Sequence, residues 1–157
     1  MKKLISFLIL SSLLLSCGGD DNDPCDGVIT DPIVQSIFIE LLDNEGNNLI
    51  ENGTFPAEDI TAEFNGFIIT PVVFTEFEAI KNLITLNIVG SEGENTWLIN
   101  LNEQETDTLV LDLALNTVEC GFTSFTVISV FYNGVQQTLI TNSDNPSGDI
   151  TIQVVRA

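Results

Sequence analysis

The chain has 157 residues, with 23 Asp or Glu against four Lys or Arg, no histidine and a formal charge of −19. That charge repels phosphate backbones and anionic headgroups, which excludes nucleic acid as a partner and keeps the folded part off anionic lipid. The missing histidine removes Ser-His-Asp and Cys-His schemes and His-ligated zinc, while a hydrophobic content of 44% speaks for a folded domain rather than a disordered acidic tail.

At the N-terminus, Lys2 and Lys3 precede an apolar run, Leu4 to Leu15, broken only by Ser6, Ser11 and Ser12. A core this short fits the h-region of a signal peptide and falls below the roughly 20 residues a membrane span needs. The run ends Leu14-Leu15-Ser16-Cys17, with an aliphatic residue three before the cysteine and a small residue just before it. This pattern resembles the lipobox of bacterial lipoproteins. The resemblance implies that residues 1–16 are removed as a signal peptide and that the Cys17 thiol receives a diacylglyceryl group. The new amine is then acylated, with a fatty acid such as palmitate. Several acyl chains on one cysteine hold a protein stably at a membrane. The competing readings are an ordinary secretory signal with an incidental cysteine, and a buried helix.

Residues 17–26 read as a lipidated acidic tether. Gly18-Gly19 makes it flexible, and Asp20, Asp21 and Asp23 make it extend. Acids placed just after the lipid cysteine resemble the export signal of surface lipoproteins of the Bacteroidetes type, which implies the outer membrane and display at the cell surface. A plain linker on the periplasmic face is the alternative. Cleavage before Cys17 leaves 141 residues, takes Lys2 and Lys3 away, and moves the formal charge from −19 to −21, with Lys81 and Arg156 as the remaining basic residues. Residues 27–157 are long enough for one domain with a real core. Two cysteines remain, Cys25 and Cys120. In an exported protein they predict a disulfide that pins the start of the domain to a late strand; two buried thiols are the alternative.

From residue 33 onward the period is two. Ile33 to Leu42, Ile60 to Phe64 and Phe67 to Phe74 read as the first strands. Residues 76 to 81 are the one short helical candidate. Ile84, Leu86 and Ile88 alternate with polar residues, as do Trp97, Ile99 and Leu101 in part, Leu109 to Leu115, and Ile150 to Val154. Phe125 to Tyr132 is apolar on both faces, which predicts a strand through the middle of the fold. Asn65-Gly66 and Asn133-Gly134 suit the positive φ angles of type I′ hairpin turns. Ser91 to Asn95 predicts a third hairpin, and 43–48 and 142–149 predict polar loops. Eight or nine strands with short connections imply an all-β fold: an antiparallel β-sandwich, immunoglobulin-like in architecture, with an antiparallel β-barrel as the alternative.

Chemistry is sparse. Two basic residues make no anion site. Paired carboxylates at Glu76/Glu78 and Glu103/Glu105 leave an acidic-pair glycoside hydrolase as the least favoured reading; surface acids are the competing one. Asp43, Glu45 and Asn47 alternate oxygen ligands around Gly46 and form a candidate calcium loop, though without EF-hand spacing; Asp144 and Asp149 flank another. A polar turn explains the same residues. Otherwise no cofactor is expected. Asp107-Thr108-Leu109 resembles the Asp-Ser/Thr-aliphatic O-glycosylation motif of exported Bacteroidetes-type proteins, which implies a glycan on Thr108; the start of a strand is the other explanation. The expectation is a membrane-anchored, non-catalytic binding or interaction module with an envelope protein or glycan as partner. A structural accessory subunit of an outer-membrane assembly is second.

Overall fold

A computed structural model describes residues 34–117, 123–141 and 148–156. Cys17, Cys25, Cys120 and Asp144 lie outside the described residues, as do the signal peptide and the tether.

Ten strands follow in chain order: β1 Ser36–Leu42, β2 Thr61–Phe64, β3 Phe67–Ile69, β4 Ile84–Asn87, β5 Gly93–Asn100, β6 Thr106–Thr117, β7 Thr123–Tyr132, β8 Val135–Gln136, β9 Ile140–Thr141 and β10 Ile150–Val155. They form two sheets, one ordered β4-β1-β10-β9 and the other β3-β2-β5-β6-β7-β8. Neither closes into a barrel, so the fold is a β-sandwich. All neighbouring strands are antiparallel except β1 and β10, which run parallel from Ile37↔Ile150 to Leu42↔Val155.

The period-two pattern decides which side chains meet between the sheets. Ile37, Ile39 and Leu41 of β1, Ile84 and Leu86 of β4, and Ile150, Ile152 and Val154 of β10 supply one inner face. Ala62, Trp97, Ile99, Leu109, Leu111, Leu113, Val127 and Val130 supply the other. Trp97 is buried and stacks on Phe64, its cross-strand neighbour, at 4.5 Å between ring centroids. Each fully buried aliphatic side chain contributes about 1.5–3 kcal/mol. The long connection from β1 to β2 also enters the core through Leu49, Ile50, Phe55 and Ile60, closing one end of the sandwich.

Asn65-Gly66 and Asn133-Gly134 both take positive φ, 51° and 80°, then 48° and 77°, and form the β2–β3 and β7–β8 turns. The helical candidate is one 3-10 turn, Glu78–Ile80. Three expectations need correction. Ser91 to Asn95 is not a hairpin: β4 belongs to the four-stranded sheet and β5 to the six-stranded one, so this segment carries the chain between layers. The buried Asn95 side chain holds the crossing, accepting from the Ser91 N–H at 3.0 Å and donating to the Ser91 and Gly93 carbonyls at 2.7 and 2.8 Å. Phe67 to Phe74 is not one strand. It leaves the six-stranded sheet at Thr70-Pro71, a cis bond, and Val73 then bridges Ile84 of the opposite sheet. Finally, β7 does not run through the middle. It lies next to the sheet edge, and its register slips opposite Asp112/Leu113, so that Val127 and Val130 both face inward while Ile128 is exposed. A bulge had broken the alternation and made both faces look apolar.

Candidate functional site

The polar chemistry of the domain gathers at the end where β6 begins and β7 and β10 finish. The strand period turns Asp107 inward together with Leu109, and its carboxylate is buried. Oδ2 accepts the Tyr132 hydroxyl at 2.8 Å and an Arg156 guanidinium N–H. Oδ1 accepts the Asn133 amide at 2.8 Å. Asn133, held at positive φ by the turn, also receives the Thr108 N–H on Oδ1 at 2.8 Å. Arg156 reaches Glu105 with its other terminal nitrogen at 2.8 Å, and its guanidinium lies 5.1 Å from the centroid of the Phe55 ring. Asp107 and Tyr132 belong to one sheet and Arg156 follows β10 of the other, so the cluster ties the two layers together.

Its electrostatics are those of a lock. Burial, followed by the neighbouring Asp107 carboxylate, pushes the Tyr132 phenol far above its ordinary value, so it stays protonated and donates. Arg156 is engaged by two carboxylates and presents no anion site.

Beside the lock runs an open groove of about 510 Å³ between the edges of the two sheets. Tyr132, Asn133, Val135 and Gln137 form one wall, and the last half of β10 with Arg156 forms the other.

The residues singled out from sequence are dispersed. Asp43 uses its carboxylate to close its own turn: Oδ1 accepts the Glu45 and Asn47 N–H groups at 2.8 Å each, and Oδ2 accepts the Asn47 side-chain amide at 2.9 Å. These bonds, that of the Asn47 amide first, lower its pKa. The loop therefore has the geometry of an Asx turn, with Asn47 as a donor. Among the described residues no three or more Cys, Asp or Glu are grouped as a metal would need. Asp149 accepts the Ser36 N–H at 2.8 Å. Glu103 and Glu105 lie in the turn between β5 and β6, where Glu105 pairs with Arg156. Glu78 lies 3.8 Å from Lys81 on the surface, and Glu76 is exposed just before it. Thr108 is half-buried on β6 with its side chain on the outer face, between inward Asp107 and Leu109.

Sequence reasoning missed the lock. Its signal was available: an arginine nearly alone among 23 acids near the end of a strand invites an acidic partner, and Asp107 interrupts the inward face of β6. What the sequence lacks is the pairing, because Glu105, Asp107, Tyr132 and Arg156 are brought together by tertiary structure.

Comparison with protein-family models, with curated proteins and with solved structures returns no match.

Proposed function

We propose that this chain is a lipoprotein of the cell envelope, anchored in the outer membrane through Cys17 and displayed at the cell surface. Its β-sandwich serves as a non-catalytic binding module for another envelope component. One observation carries the binding reading: the charged and phenolic groups at the end of the sandwich are engaged in holding it together, whereas strand edges carry large apolar side chains into solvent. Phe67 and Ile68 of β3 are 75% and 68% exposed, and Val135 and Val155 beside the groove are 63% and 61% exposed. Apolar strand edges left open in this way mark contact surfaces.

The anchor rests on the Leu14-Leu15-Ser16-Cys17 pattern. The disulfide between Cys25 and Cys120 gains support from topology. Arg156 meets Asp107, so the far ends of β10 and β6 point the same way. Ser36, paired through β1 to the start of β10, therefore lies toward the same end as Thr117 and Thr123, which flank Cys120 in sequence. A bridge there would shorten the tether and direct the groove end away from the membrane.

The test combines protease shaving of whole cells with photocrosslinking from single positions on the sandwich. Release of the domain and a discrete adduct from one face support the reading. Protection from protease would return it to the periplasmic side, and absence of adducts from every face would end the binding-module reading. A stoichiometric partner that survives detergent extraction would make the chain an accessory subunit of a larger assembly.

A further inference from the structure

We infer that the second half of β10 is a strand-addition site for an extended, apolar segment of a partner protein that carries basic residues. This rests on the binding-module reading above and names the surface and the ligand class.

The backbone supplies the first argument. β1 covers β10 along its whole length, but β9 covers only Ile150 and Thr151 on the other side. Arg156 sends its N–H to Leu42 of β1 at 2.8 Å. Main-chain groups alternate along a strand, so Ile152 and Val154 also face β1, while Gln153 and Val155 direct their N–H and C=O groups the opposite way. That is the row β9 starts and, among the described residues, leaves unfinished. An extended segment laid there would continue the row and satisfy both residues, as in recognition by strand addition.

The side chains supply the second argument. The groove walls offer Val154, with Val135 and Val155 exposed at the rim, while the side-chain amides of Asn133 and Gln137 beside them are engaged within the domain, on Asp107 and on the Val135 carbonyl. This lining fits alternate apolar side chains of a strand. It lacks what a glycan wants, since Trp97 and Tyr132, the single residues of their kinds, are both buried.

Charge decides between occupants. At the groove end, Glu105 and Asp107 outnumber Arg156, and the cleaved chain carries −21. A second copy would bring the same negative charge to the same edge. A partner segment with lysine or arginine beside its apolar residues meets the field instead. β3 is the weaker edge for this role: it spans three residues, and its hairpin pairing with β2 turns only Ile68 outward.

The experiment uses the mature lipidated protein in detergent micelles. The probes are end-blocked peptides of alternating valine and lysine, about six residues long, and counterparts with glutamate in place of lysine. Binding is followed by anisotropy and by hydrogen exchange at single amides. The expected result is that the lysine peptide binds, more weakly in high salt, and slows exchange at Gln153 and Val155. Val155→Pro, which removes the donor, and Val135→Lys, which leaves the backbone intact and opposes the charge, should each weaken binding about tenfold. Trp97 fluorescence reports whether either variant is folded.

Equal binding of both peptides, binding of neither, protection at Ile68 in place of β10, or a dimer that Val155→Pro abolishes would each overturn the assignment. If crosslinks in cells lie on another face while Gln153 and Val155 remain unprotected by peptide, the groove assignment fails and the binding module stands. If no face yields an adduct, both fail.

Discussion

At the scale of single residues, the buried Asp107 carboxylate is the most consequential group. It accepts from Tyr132, Asn133 and Arg156 at once. Removing one donor leaves a charge in the interior without full compensation. Arg156→Ala is expected to lower the unfolding free energy by about 3–5 kcal/mol, and Tyr132→Phe by about 1–3 kcal/mol, both measured by denaturant titration. Tyr132 is the only tyrosine in the chain, so its ionisation can be read directly by ultraviolet absorbance. The unfolded phenol titrates near 10 and the folded one is held well above that. Its contribution to stability is therefore intact below about pH 10 and is lost progressively as the pH rises toward the folded value. Native protein should show no tyrosinate where the denatured protein already does, and Tyr132→Phe should lack that part of the alkaline destabilisation. Titration of the native phenol at its ordinary value would contradict the buried hydrogen bond to Asp107.

At the scale of elements, the crossing between β4 and β5 depends on one close approach. Gly90 has φ of 151°, and a Cβ there would fall 2.2 Å from the Asn95 Oδ1 that accepts the Ser91 N–H. Gly90→Ala is expected to cost about 1–3 kcal/mol, with a similar loss for Asn95→Ala through its orphaned partners; unchanged melting of both variants would show that the crossing is not held this way. By contrast, Ile68→Lys on β3 should leave stability within about 0.5 kcal/mol and reduce self-association at high concentration, read by sedimentation, because an edge lysine discourages strand pairing. Alternation made β6 legible, and the Asn-Gly dipeptides made the β2–β3 and β7–β8 turns legible. Misreadings fell where a local signal had two tertiary uses. A polar Gly-containing segment serves equally for a hairpin and for a change of layer, and 91–95 is the second. A bulge in β7 imitates a strand apolar on both faces. β8 and β9 are two residues each, too short for any periodicity.

At the scale of the whole molecule, the proposal concerns position. On that proposal, a lipid at Cys17 and a short acidic tether would hold the sandwich near a membrane. Cys17→Ser is expected to abolish fatty-acid labelling and to move the protein from the membrane to the soluble fraction; retained labelling would remove the lipobox reading. Reduction of the bridge proposed between Cys25 and Cys120, or Cys120→Ser, should lower stability by about 4–5 kcal/mol for so long a loop, less where the denatured chain keeps structure. Free-thiol labelling of both cysteines in the native, exported protein would refute the bridge.

The all-β class, the hairpins at Asn65-Gly66 and Asn133-Gly134 and the inward face that carries Trp97 are legible in the chain alone, and the proposal of attachment at Cys17 rests on it too. These follow from local rules: a period of two, a positive φ, an apolar run of limited length, a four-residue motif. Pairing between distant segments puts β1 parallel to β10 and brings Asp107 to Arg156 across the layers. It also leaves Gln153 and Val155, on the β9 side of β10, without a ladder partner among the described residues. Each of these depends on which distant strands become neighbours, and a pattern of alternation specifies a strand's faces without naming the strand that pairs along its edge.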